Sequence, residues 1–279
     1  MRMITICVPL LLPLLATSAT IHGEWTLSRS ADPGKATFSL QSSREDGNHF
    51  SSSSDWNVSE FRGLDWSASG KHDVHFAIAR DAGTIDCKGF LEGSEGAGLF
   101  TFQPNAAFPS EMASLGFPGI TDENQFAFAL HNVSLAFARE IKSAGIRNVD
   151  AGKLIAFRIH GVTPEFAKDI RAAGVDANDA DKLIAFRIHG VTPEFVREMR
   201  AAGVNVTDGG KLVAFRIHGV SPEYVKALEK LGYANPDPEK LIGLRIHDVT
   251  PEYIESLRAH GMQNLTLDQL VALRIHGIN

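Results

Sequence analysis

Thr163-Pro-Glu-Phe-Ala-Lys-Asp-Ile-Arg-Ala-Ala-Gly174, followed after a polar stretch by Lys182-Leu-Ile-Ala-Phe-Arg-Ile-His189-Gly190-Val191, is the clearest copy of a phrase that recurs every 29 residues. His131, His160, His189, His218, His247 and His276 mark the period. A regular repeat of this length predicts stacked helical units that share one core and build a surface. Two helices fit each copy. In the first, Thr163 can N-cap, Pro164 takes N1 where its missing N–H costs nothing, Glu165 faces the positive end of the dipole, and Gly174 supplies a left-handed residue past the end. Phe166 and Ile170 give this helix one apolar stripe. The second helix carries Leu183, Ile184, Ala185, Phe186 and Ile188 around most of its circumference, which places it in the interior of the stack. Asp237-Pro238-Glu239 and Thr266-Leu-Asp-Gln269 open it in later copies, the second as a capping box.

Counting back by 29 carries Gly232, Gly203, Gly174 and Gly145 to Gly116, and Phe166 to Phe108. The array therefore begins near Asn105 and holds six units, the sixth running to Ile278. The first two are degenerate: Ser134 precedes Leu135 where later copies have Pro, and Ala129 replaces the recurrent Arg. Atypical units are expected at the ends of a solenoid.

Ahead of the array the periodicity falls to two. Ala36, Phe38 and Leu40 alternate with Thr37, Ser39 and Gln41, and Val74, Phe76 and Ile78 alternate with His75 and Ala77. Asp81-Ala-Gly83 and Gly93-Ser-Glu-Gly96 read as hairpin turns, Trp25 opens an earlier strand, and Ser51 to Ser54, with Asp46-Gly-Asn48, reads as a mobile loop. Residues 1–19 have the form of a secretory signal, with Arg2, a mostly apolar run from Ile4 to Leu15, and small residues up to a cut after Ala19. That run is too short for a stable membrane span. The expected fold class is thus α+β with segregated parts: a signal peptide (1–19), a small antiparallel β-sandwich or open barrel (20–104), and an α-helical solenoid of helix pairs (105–279).

The formal net charge is −6, and the acidic excess lies ahead of Pro118. With no basic footprint in either part, nucleic acid and anionic membrane are not expected partners. Ile-His-Gly-Val-Thr-Pro is reminiscent of a phosphate-gripping hairpin between helices. Here, though, a Thr or Ser stands in place of the second Gly, a Pro lacks the N–H, and the next residue is a repelling Glu. Neither His-Glu-x-x-His, Gly-x-Ser-x-Gly nor a P-loop is present, and Cys87 would be the one cysteine left after cleavage, so neither an enzyme nor a cofactor is expected.

Two ladders carry whatever chemistry the repeats hold. Arg158, Arg187, Arg216, Arg245 and Arg274 could clamp ligand carboxylates, but pairing with acidic residues of a neighbouring helix, such as Glu165 or Asp169, is the favoured expectation. His160, His189, His218, His247 and His276 could bind metal or sense pH. Their place at helix ends instead favours imidazoles that bond the last carbonyls, and a spacing of ~10 Å between units is too wide for a shared zinc ion. No metal is therefore expected.

The phrases Lys-Leu-Ile-Ala-Phe-Arg-Ile-His-Gly-Val-Thr-Pro-Glu-Phe and Gly89-Phe-Leu-Glu-Gly-Ser-Glu-Gly-Ala-Gly-Leu-Phe-Thr-Phe-Gln-Pro104 resemble the helical repeats and preceding β-segment of bacterial envelope proteins. Similar repeats are attached to membrane metallopeptidases of the beta-lactam-sensor type. The likeness covers roughly residues 80 to 279; the peptidase's zinc motif and membrane helices are absent, so peptidase activity does not carry over. What the resemblance implies is a sensor-like or interaction region in the periplasm, with no functional residue transferred. The expected function is an exported, periplasmic or extracellular, non-catalytic scaffold that presents a helical surface to another envelope protein or polymer. A ligand or metal sensor using the Arg and His ladders is the first alternative, and a hydrolase seated in the β-domain the second.

Overall fold

The computed structural model describes residues 21–43 and 49–278. The expected signal segment, 1–19, lies outside them. The chain divides into two compact units, 1–106 and 107–279. Among the described residues no helix is long and apolar enough to cross a membrane.

Among the described residues the first unit is one antiparallel sheet of six strands, β1 (Ile21–Arg29), β2 (Lys35–Ser43), β3 (His49–Asn57), β4 (His72–Arg80), β5 (Gly83–Glu92) and β6 (Glu95–Pro104), in the order β3-β2-β1-β6-β5-β4. The sheet curls into an open barrel. Phe38 on β2 and Phe76 on β4 have three strands between them, roughly 19 Å in a flat sheet, yet their ring centroids are 6.1 Å apart. The two sheet edges are then tied together: after β3 the chain makes a single 3-10 turn, Val58–Glu60, and Arg62 exchanges both backbone hydrogen bonds with Ala77 of β4 at 2.9 Å. Phe38, Trp56, Phe61 and Phe76 fill the interior edge to face.

Glycines let one large ring lie flat inside this barrel. Trp25 on β1 faces Gly98 on β6, which faces Gly89 on β5. The indole runs across both and donates its Nε1–H to the Lys88 carbonyl at 3.2 Å; a Cβ on Gly89 would meet the ring at 2.7 Å. The hairpin turns fall at Asp81-Ala82 and Gly93-Ser94, as the sequence predicts. The serine run does not. Ser51 to Ser54 lie within β3, paired residue by residue with Gln41 to Phe38, and Ser53 receives a 2.8 Å hydrogen bond from Ser39. A strand held by backbone bonds and hydroxyls lacks the apolar alternation by which strands are recognised. Asp46-Gly-Asn48, the rest of that expected loop, lies outside the described residues.

The second unit is twelve helices: α1 (Phe108–Ser114), α2 (Asp122–Leu130), α3 (Leu135–Ser143), α4 (Ala151–His160), α5 (Pro164–Ala172), α6 (Ala180–His189), α7 (Pro193–Ala201), α8 (Gly209–His218), α9 (Pro222–Lys230), α10 (Pro238–Ile246), α11 (Pro251–Ala259) and α12 (Leu267–Ile275). The caps fall where local chemistry puts them. Thr163 accepts from the Phe166 amide at 3.1 Å, Gly174 is left-handed at φ 85°, and Thr266 and Gln269 close a reciprocal capping box. Odd-numbered helices stack on odd and even on even, giving two rows. Leu154, Leu183, Leu212 and Leu241, with Phe157, Phe186, Phe215 and Leu244, are fully buried beneath the even row.

The even helices are not interior throughout. Ile159, Ile188, Ile217, Ile246 and Ile275 are 54–58 % exposed, against the expectation of full burial. Two rows make only two layers, and an apolar residue on the outer side of one has no third layer to meet. Because each unit buries its apolar face against the next copy, one 29-residue unit alone is expected to be unfolded, while four consecutive units give a helical, cooperatively melting chain. Far-ultraviolet circular dichroism of the two lengths checks this; a single unit that melts cooperatively would refute it.

Candidate functional site: the row of even helices

Each even helix from α4 to α12 ends in the same Arg-Ile-His phrase, and the structure gives its three side chains different fates. The arginines turn back along the array. Arg158, Arg187, Arg216 and Arg245 each donate from Nε to the backbone carbonyl of His131, His160, His189 and His218 at 3.0–3.3 Å, 27 residues earlier. That carbonyl is at the C-terminal end of the preceding even helix, where acceptors are unsatisfied and the dipole favours a cation. The same guanidinium lies over an aromatic ring of its own unit: Arg158 over Phe137, Arg187 over Phe166, Arg216 over Phe195 and Arg245 over Tyr224, with centroids 4.9–5.1 Å away. The expected pairing with Glu165 or Asp169 is therefore corrected to a carbonyl and a ring. Only the last rung uses an acid. Asp248 stands where earlier copies have glycine, at φ 52°, and Arg274 donates to its carboxylate at 2.8 Å while covering Tyr253 at 4.6 Å.

The glycine at the end of α4, α6 and α8 makes room for this. Gly161 has φ 69°, and a Cβ there would stand 2.7 Å from Arg187 Nη2; Gly190 and Gly219 face Arg216 and Arg245 likewise. The odd row repeats the device, which the sequence reading missed. Arg171 donates to the Ala144 carbonyl at 3.2 Å and Arg258 to that of Leu231 at 2.6 Å, again 27 residues back. Tyr224 and Tyr253 add a second tie within their units, donating their hydroxyls to the carbonyls of Val249 and Ile278 at 2.7 Å.

The histidines contribute their carbonyls to this ladder and leave their rings out of it. Among the described residues the imidazoles of His160, His189, His218, His247 and His276 make no hydrogen bond or ion pair, so the expected imidazole-to-carbonyl cap is replaced by the arginine of the next unit. His131, the half-buried first member, has its pKa held below the usual histidine range by burial and then by the charge of Arg158. Among the described residues no three His, Cys, Asp or Glu side chains converge as a metal ion would need.

Beside the exposed arginines and histidines, an aliphatic strip faces solvent along the even row. Ile155, Ile184, Val213, Ile242 and Val271 are half-buried one turn before the exposed isoleucines, on the same side of each helix. Ala156, Ala185 and Ala214 lie between the two. At the N-terminal end of the face, Lys153 pairs with Asp181 and Lys240 with Asp268, while Lys211 meets Glu239 at 3.0 Å. These are bridges between successive units in open solvent and contribute little.

Shallow grooves of about 260, 390 and 560 Å³ open among the described residues of the barrel. Arg29, Asp32, Lys35 and Trp66 line the first, His22, Glu24 and Thr101 the second, and Ser28, Phe90, Glu92 and Glu95 the third. The His75–Asp86 pair, 2.7 Å apart, lines none of them. Cys87 is buried, and desolvation, with Asp86 adding to it, pushes its thiol well above the usual range, so it is a poor nucleophile. No protein-family model matches the chain, and no curated protein matches it.

Proposed function

We propose that the protein is an exported, non-catalytic interaction protein whose even-helix row is the binding face. One observation carries the reading: five isoleucines, Ile159, Ile188, Ile217, Ile246 and Ile275, each more than half exposed, recur once per unit along one row of the array. A monomer gains nothing by keeping such a strip in water, and strips of this size mark contact surfaces. The engagement of the arginines with carbonyls and rings supports assigning them to the stitching of units and not to a ligand. Export rests on the form of residues 1–19, and an intact mass beginning at residue 20 in material recovered from the periplasm is the expected result.

A photoreactive residue placed at Ile188 or Ile217 is expected to cross-link to protein on irradiation in cells, while the same residue at Arg197, exposed on α7, is not. Equal labelling at all three positions, or none at the isoleucines, would sink the reading. The partnerless imidazoles favour a second one, a soluble ligand or metal sensor. Titration calorimetry with zinc, copper and nickel separates the two: sub-micromolar binding that disappears in H189A/H218A would put the sensor first.

A further inference from the structure

We infer that the occupant of the even-helix face is a second copy of this chain, paired about a two-fold axis that runs along the row. The inference rests on the binding-face reading above and names its partner.

The period comes first. Rungs set at helix-packing distance, ~10 Å, repeat over the five helices α4, α6, α8, α10 and α12, a strip roughly 40 Å long. A partner that covers every rung must carry the same period, and another copy carries it by construction. Composition agrees. The strip is built of exposed Ile with half-buried Ile, Val and Ala beside it and the arginine ladder along its border, and it carries no aromatic anchor; aliphatic faces of this kind belong to homodimers, which resemble a core cut in two. The area suffices. The strip offers on the order of 500 Å² of aliphatic surface, at the upper end of what a monomer leaves uncovered, and two such faces with their polar borders approach the ~1,200 Å² of a stable interface.

Charge fixes the orientation. With the axis along the row, facing helices run antiparallel, so the N-terminal end of each rung meets the C-terminal end of its counterpart. The N-terminal ends of α6, α10 and α12 carry Asp181, Glu239 and Asp268, with side chains 65–69 % exposed. The C-terminal ends carry His189, His247 and His276 beside the arginine ladder. Lys153, Lys211 and Lys240 already pair with these three carboxylates, but the same helix ends also carry the caps Asp150, Asp179, Asp208 and Asp237, so with Lys182 counted seven carboxylates stand there against four lysines. The antiparallel pair thus sets these net-acidic ends against imidazoles and guanidinium groups and lays Ile184 of one copy on Ile188 of the other. An axis across the row would instead set acid against acid.

Sedimentation equilibrium of the full chain tests this. The mass expected at about 10 µM is that of two chains, and I188K/I217K should raise the dimer dissociation constant at least ~100-fold. Both side chains are exposed, so a retained helical signal and a cooperative melt show that the variant folds, while its melting temperature no longer depends on protein concentration; R197A should leave the dimer intact. Wild-type chain that stays monomeric, or a dimer that survives I188K/I217K, overturns the inference, as does a monomer that sediments with lipid vesicles through these positions. A monomer whose Ile188 still cross-links to a different protein overturns the self-pairing alone, whereas one with no cross-link overturns the binding face as well.

Discussion

Gly98→Ala is expected to unfold the barrel while the helices persist. A Cβ at this position would lie 2.6 Å from the Gly89 Cα and 2.8 Å from the Lys88 carbonyl carbon, with the Lys88 oxygen closer still. All three are backbone atoms of the paired strand, so no side chain can swing aside and β5 and β6 must part. Parting them also removes the floor on which Trp25 rests and the 5.0 Å edge contact it makes with Phe76. Overpacking with no room to relax costs at least ~3 kcal/mol, a large fraction of the stability of an eighty-residue domain. Near-ultraviolet circular dichroism from the tryptophans should collapse, and the helical signal at 222 nm should hold because the helices form a separate compact unit. Gly93→Ala is the control. Its φ is 62° but no atom lies within 4 Å of a Cβ there, so it should lose only the ~1 kcal/mol of left-handed strain. A Gly98→Ala protein that melts like the wild type would show that the indole does not need the glycine floor.

Most of the fold was legible because it is written in local chemistry. Thr163, Pro164 and Gly174 announce a helix without reference to anything outside it, and the 29-residue period then says that neighbours supply the rest of the core. What escaped depends on partners the sequence does not display. β3 is recognisable only from its pairing with β2. The exposure of Ile188 depends on how many layers the array has, and periodicity reports how apolar a face is without saying what covers it. The arginine ladder is the most instructive miss, because its acceptors are backbone atoms with no letter of their own. A signal was nevertheless present: Arg187 follows Gly161 by 26 residues, and Arg200 follows Gly174 by the same interval in the other row. An arginine at a fixed distance from a helix-ending glycine, in both rows, points to a side chain lodged where a Cβ is missing. Of the ten candidate site residues, the arginines proved to be ties between units and the histidines border the face. The aliphatic face itself was read as core.

Gly161→Ala and Gly145→Ala should separate that tie from the strain of the turn. Both glycines sit at φ 69°, so alanine at either pays the same left-handed penalty, about 1 kcal/mol. Nothing lies within 4 Å of a Cβ at Gly145, whereas at Gly161 the Arg187 guanidinium does. Alanine at Gly161 therefore displaces the arginine from the His160 carbonyl and from the face of Phe166. Each contact is solvent-exposed, which holds a charged hydrogen bond to ~1 kcal/mol and the ring contact to ~0.5–1 kcal/mol. The Gly161 variant is thus expected to be less stable than the Gly145 variant by about 1–2 kcal/mol in urea unfolding followed at 222 nm. In an Arg187→Met background, which keeps most of the stem and removes the guanidinium, the two substitutions should cost the same, giving a coupling of about 1 kcal/mol or more between Gly161 and Arg187. Stability in such an array is transmitted from neighbour to neighbour, so a weakened tie should also broaden the transition as units 105–162 begin to melt apart from the rest. Equal costs for the two glycines in the wild-type background would mean that the arginines decorate the helix ends without joining them. The even row would then owe its alignment, and with it the continuity of its isoleucine face, to the buried leucines and phenylalanines alone.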